Sequence, residues 1–302
     1  MPAVTPELIK QLREATNAGM LDCKKALTEN DGDMDAAVEW LRKKGLSKAA
    51  KVADKIAAEG AIVLKIADDK KSATIVEINC ETDFVAKNDN FKAFAKEVID
   101  GISASPVKTI DELKASGLGA QSYTDLIGGA IGRLGEKIDI RRFAKHTLSN
   151  GIVNGYLHSN SRVGVIVAIE TTAKELADFA RDIAMHAAAM KPLYLNETEV
   201  PAEDIAKERE IALEQLRKEG KPEAMLEKIV PGKIKKFIAD ITLEGQAFVK
   251  DDKKSVAEAL NAAAKALGTT AKLVGFTRFE VGEGIDKKSN DFAAEVAAQT
   301  QR

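Results

Sequence analysis

The first 45 residues carry apolar side chains every three or four positions, which is the spacing of one buried face of an α-helix. Thr5 fits the N-cap of a first helix that begins at Pro6. Asp33 fits the cap of a third helix, and Gly45 is a natural end for it. Three helices of this length bury only a small core, so the pattern predicts a module that packs against a partner. The buried stripe of the second helix comprises Met20, Cys23 and Leu27.

Beyond residue 58 the pattern changes to short apolar runs joined by polar turns, which is typical of β-strands. Residues 61–66 and 74–79 are two such runs, and residues 91–99 then follow a helical period. The same unit recurs, with a strand at 163–170 and a helical stripe at 176–187. We therefore predict an α+β core made of two related subdomains.

Two further segments extend this core. Residues 202–219 and 223–238 are densely charged helical runs joined by a short turn, which predicts an inserted antiparallel helical hairpin (coiled coil). Pro231-Gly232 falls inside the second run and is expected to kink or restart that helix. A weaker third copy of the repeat follows, with a strand at 272–280 and a C-terminal helix from Asp291.

The predicted organisation has six segments. Residues 32–41, GDMDAAVEWL, resemble the last helix of ubiquitin-associated (UBA) domains, so the first segment is expected to be UBA-like. The segments are a UBA-like domain with a helical connector at 1–55, the first core subdomain at 56–150, the first part of the second subdomain at 151–199, the hairpin at 200–243, the second part of the second subdomain at 244–284, and a C-terminal helical module at 285–302.

The charge balance of the chain favours a protein partner. Its 302 residues include 45 basic and 47 acidic side chains, for a formal net charge of −2. Proteins that bind nucleic acid through its phosphates usually have a basic excess, so we expect no direct nucleic-acid contact. The longest apolar run, residues 163–169, is too short to span a bilayer, and the N-terminus has no signal-peptide pattern. With only two cysteines, the chain is expected to be cytoplasmic, without a disulfide scaffold and without a membrane partner.

Sequence motifs of common active sites are absent. The chain has no G-x-x-x-x-G-K-[ST] phosphate loop, no G-x-S-x-G elbow and no H-E-x-x-H zinc motif. Its three histidines lie apart from both cysteines in sequence, which disfavours a zinc site. Cys80 ends an apolar strand and is expected to be a small buried hydrophobe rather than a nucleophile. We therefore predict a protein that is not an enzyme and that takes no metal, cofactor or small-molecule ligand.

Seven stretches of the chain, in the same order, resemble the bacterial elongation factor Ts family. The most specific are NCETDFVAK at residues 79–87 and FTRFEVGEG at residues 276–284. Together the stretches span nearly the whole chain, and chance does not produce so many ordered matches. The other five are LREATNAGMLDCKKAL at 12–27, IRR at 140–142, GYLH at 155–158, AMHAAAMKP at 184–192 and DFAAEV at 291–296.

This resemblance implies a guanine nucleotide exchange factor for EF-Tu, a GTPase of translation, in its GDP-bound and nucleotide-free forms. In the family, a Thr-Asp-Phe-Val segment is thought to wedge beside the nucleotide, displace the Mg²⁺ ion and promote release of GDP. The matching residues are Thr82, Asp83, Phe84 and Val85. Phe84 has a rival interpretation as a core aromatic that faces the helix at 91–99. The other contacts with EF-Tu that the resemblance implies are Lys24, Leu134, His158, Phe248, Val249 and, in the terminal helix, Phe292.

Two other functions fit parts of the sequence. A non-catalytic adaptor would bind a protein through the UBA-like residues 1–45, but it leaves the motif at 79–87 without a role. An RNA-binding translation protein would need a basic excess and an aromatic stacking platform, and the chain has neither. The basic side chains of such a protein would be Arg141, Arg142, Lys233, Lys235 and Lys236.

Overall fold

The computed structural model describes residues 4–16 and 18–286. Helices and strands are both abundant in this part of the chain, which confirms the predicted α+β class. The helices are α1 (Pro6–Thr16), α2 (Met20–Glu29), α3 (Met34–Val52), α4 (Asp83–Lys87), α5 (Asp89–Ala104), α6 (Ile110–Ser116), α7 (Tyr123–Leu134), α8 (Ala177–Met190), α9 (Ala202–Lys218), α10 (Glu223–Ile241) and α11 (Val256–Ala266). The strands are β1 (Glu59–Ile66), β2 (Ser72–Cys80), β3 (Asp139–Thr147), β4 (Ile152–Leu157), β5 (Val163–Thr171), β6 (Ala247–Phe248), β7 (Asp251–Ser255) and β8 (Ala271–Glu280).

The first half of the core is a three-stranded antiparallel sheet with the order β1-β2-β3. β1 and β2 form the hairpin predicted from two short apolar runs joined by a polar turn. The helix predicted at 91–99 is the middle of α5, whose Phe91, Phe94 and Val98 are buried in one cluster with Val76 and Ile78 of β2. The sheet therefore has α5 on one face, as an apolar stripe of that period requires.

The second half repeats this arrangement with the order β4-β5-β8. In each half a hairpin is followed by helices and then by a third strand beside the second. α8 packs on the second sheet through an alanine-rich face that includes Ile183. The strand predicted at 272–280 is β8 and closes this sheet, so it does not begin a third unit. The helix predicted from Asp291 lies outside the described residues.

The two halves are joined face to face through a shared hydrophobic layer. Its side chains come from strands of both sheets, so neither sheet exposes that face to solvent. Apolar burial of this kind is the main favourable contribution to folding. The buried members of the layer are Ile62, Ala73, Ile75, Val153, Ile166, Ala168, Phe279 and Val281.

The N-terminal module consists of three helices, as predicted, but the third does not end at Gly45. α3 continues to Val52 and packs against α7. Glycine allows the two backbones to approach, because a Cβ on Gly45 would lie 2.6 Å from the carbonyl oxygen of Gly128. At the same contact, Arg42 donates two hydrogen bonds to Asp125, at 2.7 and 2.9 Å. Gly45 therefore serves a helix–helix contact rather than a helix end.

The predicted hairpin is the pair α9 and α10, but the predicted restart at Pro231 is wrong. α10 runs without a break from Glu223 to Ile241. Pro231 has no N–H to donate to the carbonyl oxygen of Glu227, so the helix forgoes one hydrogen bond there. Val230 and Ile234 on either side are buried and keep the segment helical. They belong to the cluster that holds the hairpin together, Leu216, Leu226, Val230 and Ile234.

Candidate functional site

The motif at 79–87 forms the end of β2, a sharp turn and the short helix α4. Thr82 caps this helix, and its Oγ1 accepts a hydrogen bond from the N–H of Val85 at 3.3 Å. Val85 packs partly against the core of the first half. Phe84 points away from that core and is 82% exposed. The rival interpretation of Phe84 as a core aromatic is therefore wrong.

Residues 82–85, the wedge segment, are anchored at their start by Glu136. One carboxylate oxygen of Glu136 accepts hydrogen bonds from the N–H groups of Glu81 at 3.1 Å and Thr82 at 2.9 Å. The other oxygen accepts the hydroxyl of Thr82 at 2.6 Å. In the opposite direction, the carboxylate of Glu81 accepts the N–H of Lys137 at 2.7 Å. The turn before α4 and the loop before β3 are thus tied together in both directions.

The surroundings of the wedge segment shift the pKa values of two groups, the Asp83 carboxyl within it and the Cys80 thiol before it. Lys87 donates a hydrogen bond of 2.6 Å to Asp83, which lowers the pKa of that carboxyl group. The Cys80 thiol donates to the carbonyl oxygen of Thr82 at 3.1 Å. Burial raises the pKa of Cys80 to about 12, with a further contribution from the nearby Glu136 carboxylate. Cys80 therefore stays protonated at neutral pH, in agreement with its interpretation as a small buried hydrophobe.

Leu134 and His158 lie on different halves of the core. Leu134 is the last residue of α7 and is half-buried against the first core cluster. His158 is exposed in the turn after β4, where its Nδ1 lies 2.9 Å from Oδ1 of Asn160. A cavity of about 540 Å³ is lined both by Asp83 and Lys87 and by residues 159–162 of that turn. The structure therefore brings the wedge segment and the turn of His158 to one surface.

The remaining predicted contacts are dispersed. Lys24 is exposed on α2 of the N-terminal module. The expectation of an exposed apolar pair at 248–249 is half wrong, because Phe248 is 3% exposed, whereas Val249 is 50% exposed. The ring of Phe248 lies 5.4 Å from that of Phe179, in the core of the second half. Phe292 lies outside the described residues.

Two features of the site were not predicted from the sequence. Met20, expected on a buried stripe, is 59% exposed, and its neighbour Leu21 is 81% exposed. Both lie at the start of α2, within about one turn of Lys24. The sequence signal that could have indicated an exposed apolar surface here is the pair of adjacent large apolar side chains at the start of a largely polar helix. The second feature is Glu136, whose role depends on a contact across 54 positions of sequence, for which the sequence holds no local signal.

Within residues 4–16 and 18–286, no three His, Cys, Asp or Glu side chains converge in a group that could hold a metal ion. None of the helices in the same ranges is long and apolar enough to cross a membrane.

The family model and the individual relatives that match this chain carry the same family name. A sequence model described as Elongation factor TS matches residues 81–283. A protein named Elongation factor Ts from a Nitratiruptor species is 53% identical over 302 residues, which cover 98% of this chain and 99% of the relative. Proteins of the same name from Alkalilimnicola ehrlichii and Clostridium perfringens are 48% and 45% identical. The match with the Alkalilimnicola protein covers 99% of this chain and 99% of that protein. The match with the Clostridium protein covers 97% of this chain and 98% of that protein.

Proposed function

This chain belongs to the elongation factor Ts family of translation elongation factors, and from that premise we propose that it is a guanine nucleotide exchange factor for EF-Tu. One observation carries the proposal. Phe84 belongs to a motif that resembles the family's exchange segment and is 82% exposed. It lies on a short helix whose N-cap residue, Thr82, donates its N–H to Glu136. A large apolar ring in that position is poised to enter a pocket of a partner.

The proposed mechanism uses the whole wedge segment. Burial of Phe84 in EF-Tu contributes roughly 1.5–3 kcal/mol, since that is the usual value for a buried phenylalanine side chain. Thr82, Asp83 and Val85 accompany the ring into the region beside the nucleotide. The bound Mg²⁺ is the largest local charge that holds a diphosphate, so its displacement weakens GDP binding. The chain performs no covalent reaction in this scheme.

Residues outside the wedge segment would supply docking rather than displacement. Met20, Leu21 and Lys24 form one surface on α2, with an apolar centre beside a positive charge. We propose that this surface contacts EF-Tu away from the nucleotide. Leu134, His158 and Val249 are proposed as further contacts, and Val249 replaces the pair at 248–249 because the ring of Phe248 is buried.

The release of a fluorescent GDP analogue from EF-Tu tests the proposal. Excess unlabelled GDP is added to the preloaded complex, with and without this chain, and the decay of fluorescence is followed. Release is expected to accelerate with chain concentration and to saturate. An unchanged release rate at saturating chain would refute the proposed function. Binding of GDP to the isolated chain at micromolar affinity would contradict the assignment of the nucleotide site to EF-Tu.

A further inference from the structure

The carboxylate of Glu136 receives three hydrogen bonds from two consecutive residues. The N–H of Glu81, the N–H of Thr82 and the hydroxyl of Thr82 lie 3.1, 2.9 and 2.6 Å from its oxygens. Both oxygens are used, and each donor belongs to the two residues that precede α4. Hydrogen bonds to an ionised acceptor are about twice as strong as those between neutral groups. One side chain therefore supplies most of the hydrogen bonds that hold the start of the wedge segment.

α4 also contacts β1, β2 and α5, but only through partly buried side chains. α4 contains five residues, and none of them is fully buried. So short a helix is not stable by itself, because nucleation costs more than one or two intrahelical hydrogen bonds return. Val85 and Ala86 contact the core only in part. The direction in which Phe84 points consequently depends on the anchors at residues 81 and 82 together with this partial packing.

We propose that Glu136 is a positioning residue for nucleotide exchange, which holds residues 82–85 in the orientation that presents Phe84 to the GTPase. The inference rests on the proposed function, because it assigns Phe84 as the group that enters EF-Tu. Glu136 itself is half-buried and touches the backbone of the segment rather than its tip. A rigid, correctly aimed ring binds without the entropic cost of ordering the segment during the encounter.

Substitution of Glu136 tests this role against a matched control. Glu136→Ala removes all three hydrogen bonds, and Glu136→Gln keeps one acceptor oxygen for the two N–H groups while turning an amide toward the Thr82 hydroxyl. Glu112 also accepts a backbone N–H, that of Lys108 at 2.6 Å, but it lies on α6, so Glu112→Ala is the control. We expect Glu136→Ala to slow the saturating rate of GDP release by roughly five- to thirtyfold, with Glu136→Gln intermediate and Glu112→Ala near wild type.

A double variant separates positioning from general stability. If Glu136 acts through Phe84, then adding Glu136→Ala to Phe84→Ala slows release no further than Phe84→Ala alone. An equal slowing by Glu136→Ala in the wild-type and the Phe84→Ala backgrounds would overturn the proposal. So would a wild-type release rate for Glu136→Ala itself.

Hydrogen exchange of the full-length chain gives a readout that does not depend on EF-Tu. The amides of Glu81 and Thr82 are expected to exchange faster in Glu136→Ala than in wild type or Glu112→Ala, while the amides of β2 keep their protection. Unchanged exchange at residues 81 and 82 would contradict the anchor. A wild-type chain that fails to accelerate GDP release, but shows this exchange pattern, would refute the proposed function and leave the anchor in place.

Discussion

Phe84 and Phe91 lie seven positions apart and have opposite environments. Phe91, on α5, is fully buried, whereas Phe84 is the most exposed large apolar side chain among the described residues. Exposure of an aromatic ring of this size forfeits the burial that would stabilise the fold. A fixed backbone that nevertheless keeps the ring in water is expected where the ring is buried in a partner instead. This contrast separates the two roles that the sequence left open for Phe84.

Replacement of Phe84 by alanine should slow nucleotide exchange without harming the fold. Loss of an apolar anchor worth about 1.5–3 kcal/mol lowers the stimulated rate of GDP release by roughly ten- to a hundredfold. Leu267→Ala is the control, since Leu267 is also a partly exposed apolar residue, at the end of α11. Release rates are measured at saturating chain, with melting temperatures by circular dichroism. A wild-type rate for a folded Phe84→Ala chain would exclude Phe84 as the wedge.

His186 makes stability depend on pH. It is fully buried, accepts the N–H of Val249 at 3.3 Å through Nδ1, and lies 3.0 Å from Gln246 through Nε2. Burial lowers the pKa of His186 below its ordinary value of 6.5. As the pH falls below 6.5, His186 binds a proton in the unfolded chain but stays neutral in the folded chain. The free energy of unfolding should therefore decrease by up to about 1.4 kcal/mol per pH unit from this residue.

Urea unfolding at pH values of about 7.5, 6.5 and 5.5, which bracket the ordinary histidine pKa, measures this effect. Burial also lowers the pKa of His146, which adds a loss of the same sign, and raises the pKa of Glu244, which has the opposite sign. The comparison is therefore between wild type and His186→Gln, since both keep His146 and Glu244. The pH dependence should be shallower in His186→Gln. Identical slopes would show that His186 does not titrate differently in the two states.

At the scale of elements, four strands and the helices with a clear apolar stripe could be predicted from their own residues, whereas β3, β4, α7 and α11 were missed. β1, β2, β5 and β8 are short runs rich in apolar residues, and the apolar residues of α5 and α8 repeat every three to four positions. The predicted helix end at Gly45 and the predicted restart at Pro231 were wrong, because both were based on the local preferences of glycine and proline alone. The helix continues at both positions because of contacts made elsewhere, with Gly128 at the first and with the hairpin cluster at the second.

The candidate site divides in the same way. The wedge segment could be found because it is a contiguous motif, but its anchor Glu136 is brought in by the fold. Phe248 was expected at the surface, and its place in the core depends on the neighbouring ring of Phe179, which the sequence does not pair with it. The six-segment division of the chain remains our proposal.

The contact between α3 and α7 can be tested with two glycines. A Cβ at Gly45 would lie 2.6 Å from a backbone carbonyl oxygen of α7, whereas a Cβ at Gly129, on α7 itself, meets nothing within 4 Å. Gly45→Ala should therefore destabilise the N-terminal module by about 1–3 kcal/mol through overpacking. Gly129→Ala should stabilise the chain by up to about 1 kcal/mol through helix propensity.

Trp40 reports on unfolding of the N-terminal module, because it is the one tryptophan of the chain and packs against the core of that module. Its fluorescence during urea unfolding gives the free energies of both variants. Opposite signs for the two substitutions support the close approach of α3 and α7. Equal changes would show that the two helices do not meet at Gly45.

At the scale of the whole molecule, the proposed contacts lie on three separate parts of the fold. α2 belongs to the N-terminal module, the wedge segment to the first half, and the turn of His158 to the second half. The halves are tied by the shared layer and by Glu77, which is fully buried on β2 and accepts the N–H of Gly282 at 2.8 Å. Arg141 and Arg142 donate to the same carboxylate. These connections hold the wedge segment and the turn of His158 in a fixed relation on one surface, while the contact between α3 and α7 joins the N-terminal module to the first half.

The proposed function requires that the chain bind nucleotide-free EF-Tu more tightly than GDP-bound EF-Tu. Coupling between two ligands is reciprocal, so the factor by which the chain weakens GDP equals the factor by which GDP weakens the chain. Titration calorimetry of all four equilibria measures both factors. We expect Phe84→Ala to reduce the shared factor, because its ring acts beside the nucleotide. Lys24→Ala should weaken both complexes by the same factor, roughly fivefold or less, because a surface charge on α2 does not distinguish the two forms. Altered coupling in Lys24→Ala would contradict the assignment of Lys24 to docking alone. Unaltered coupling in Phe84→Ala would contradict the assignment of Phe84 to displacement.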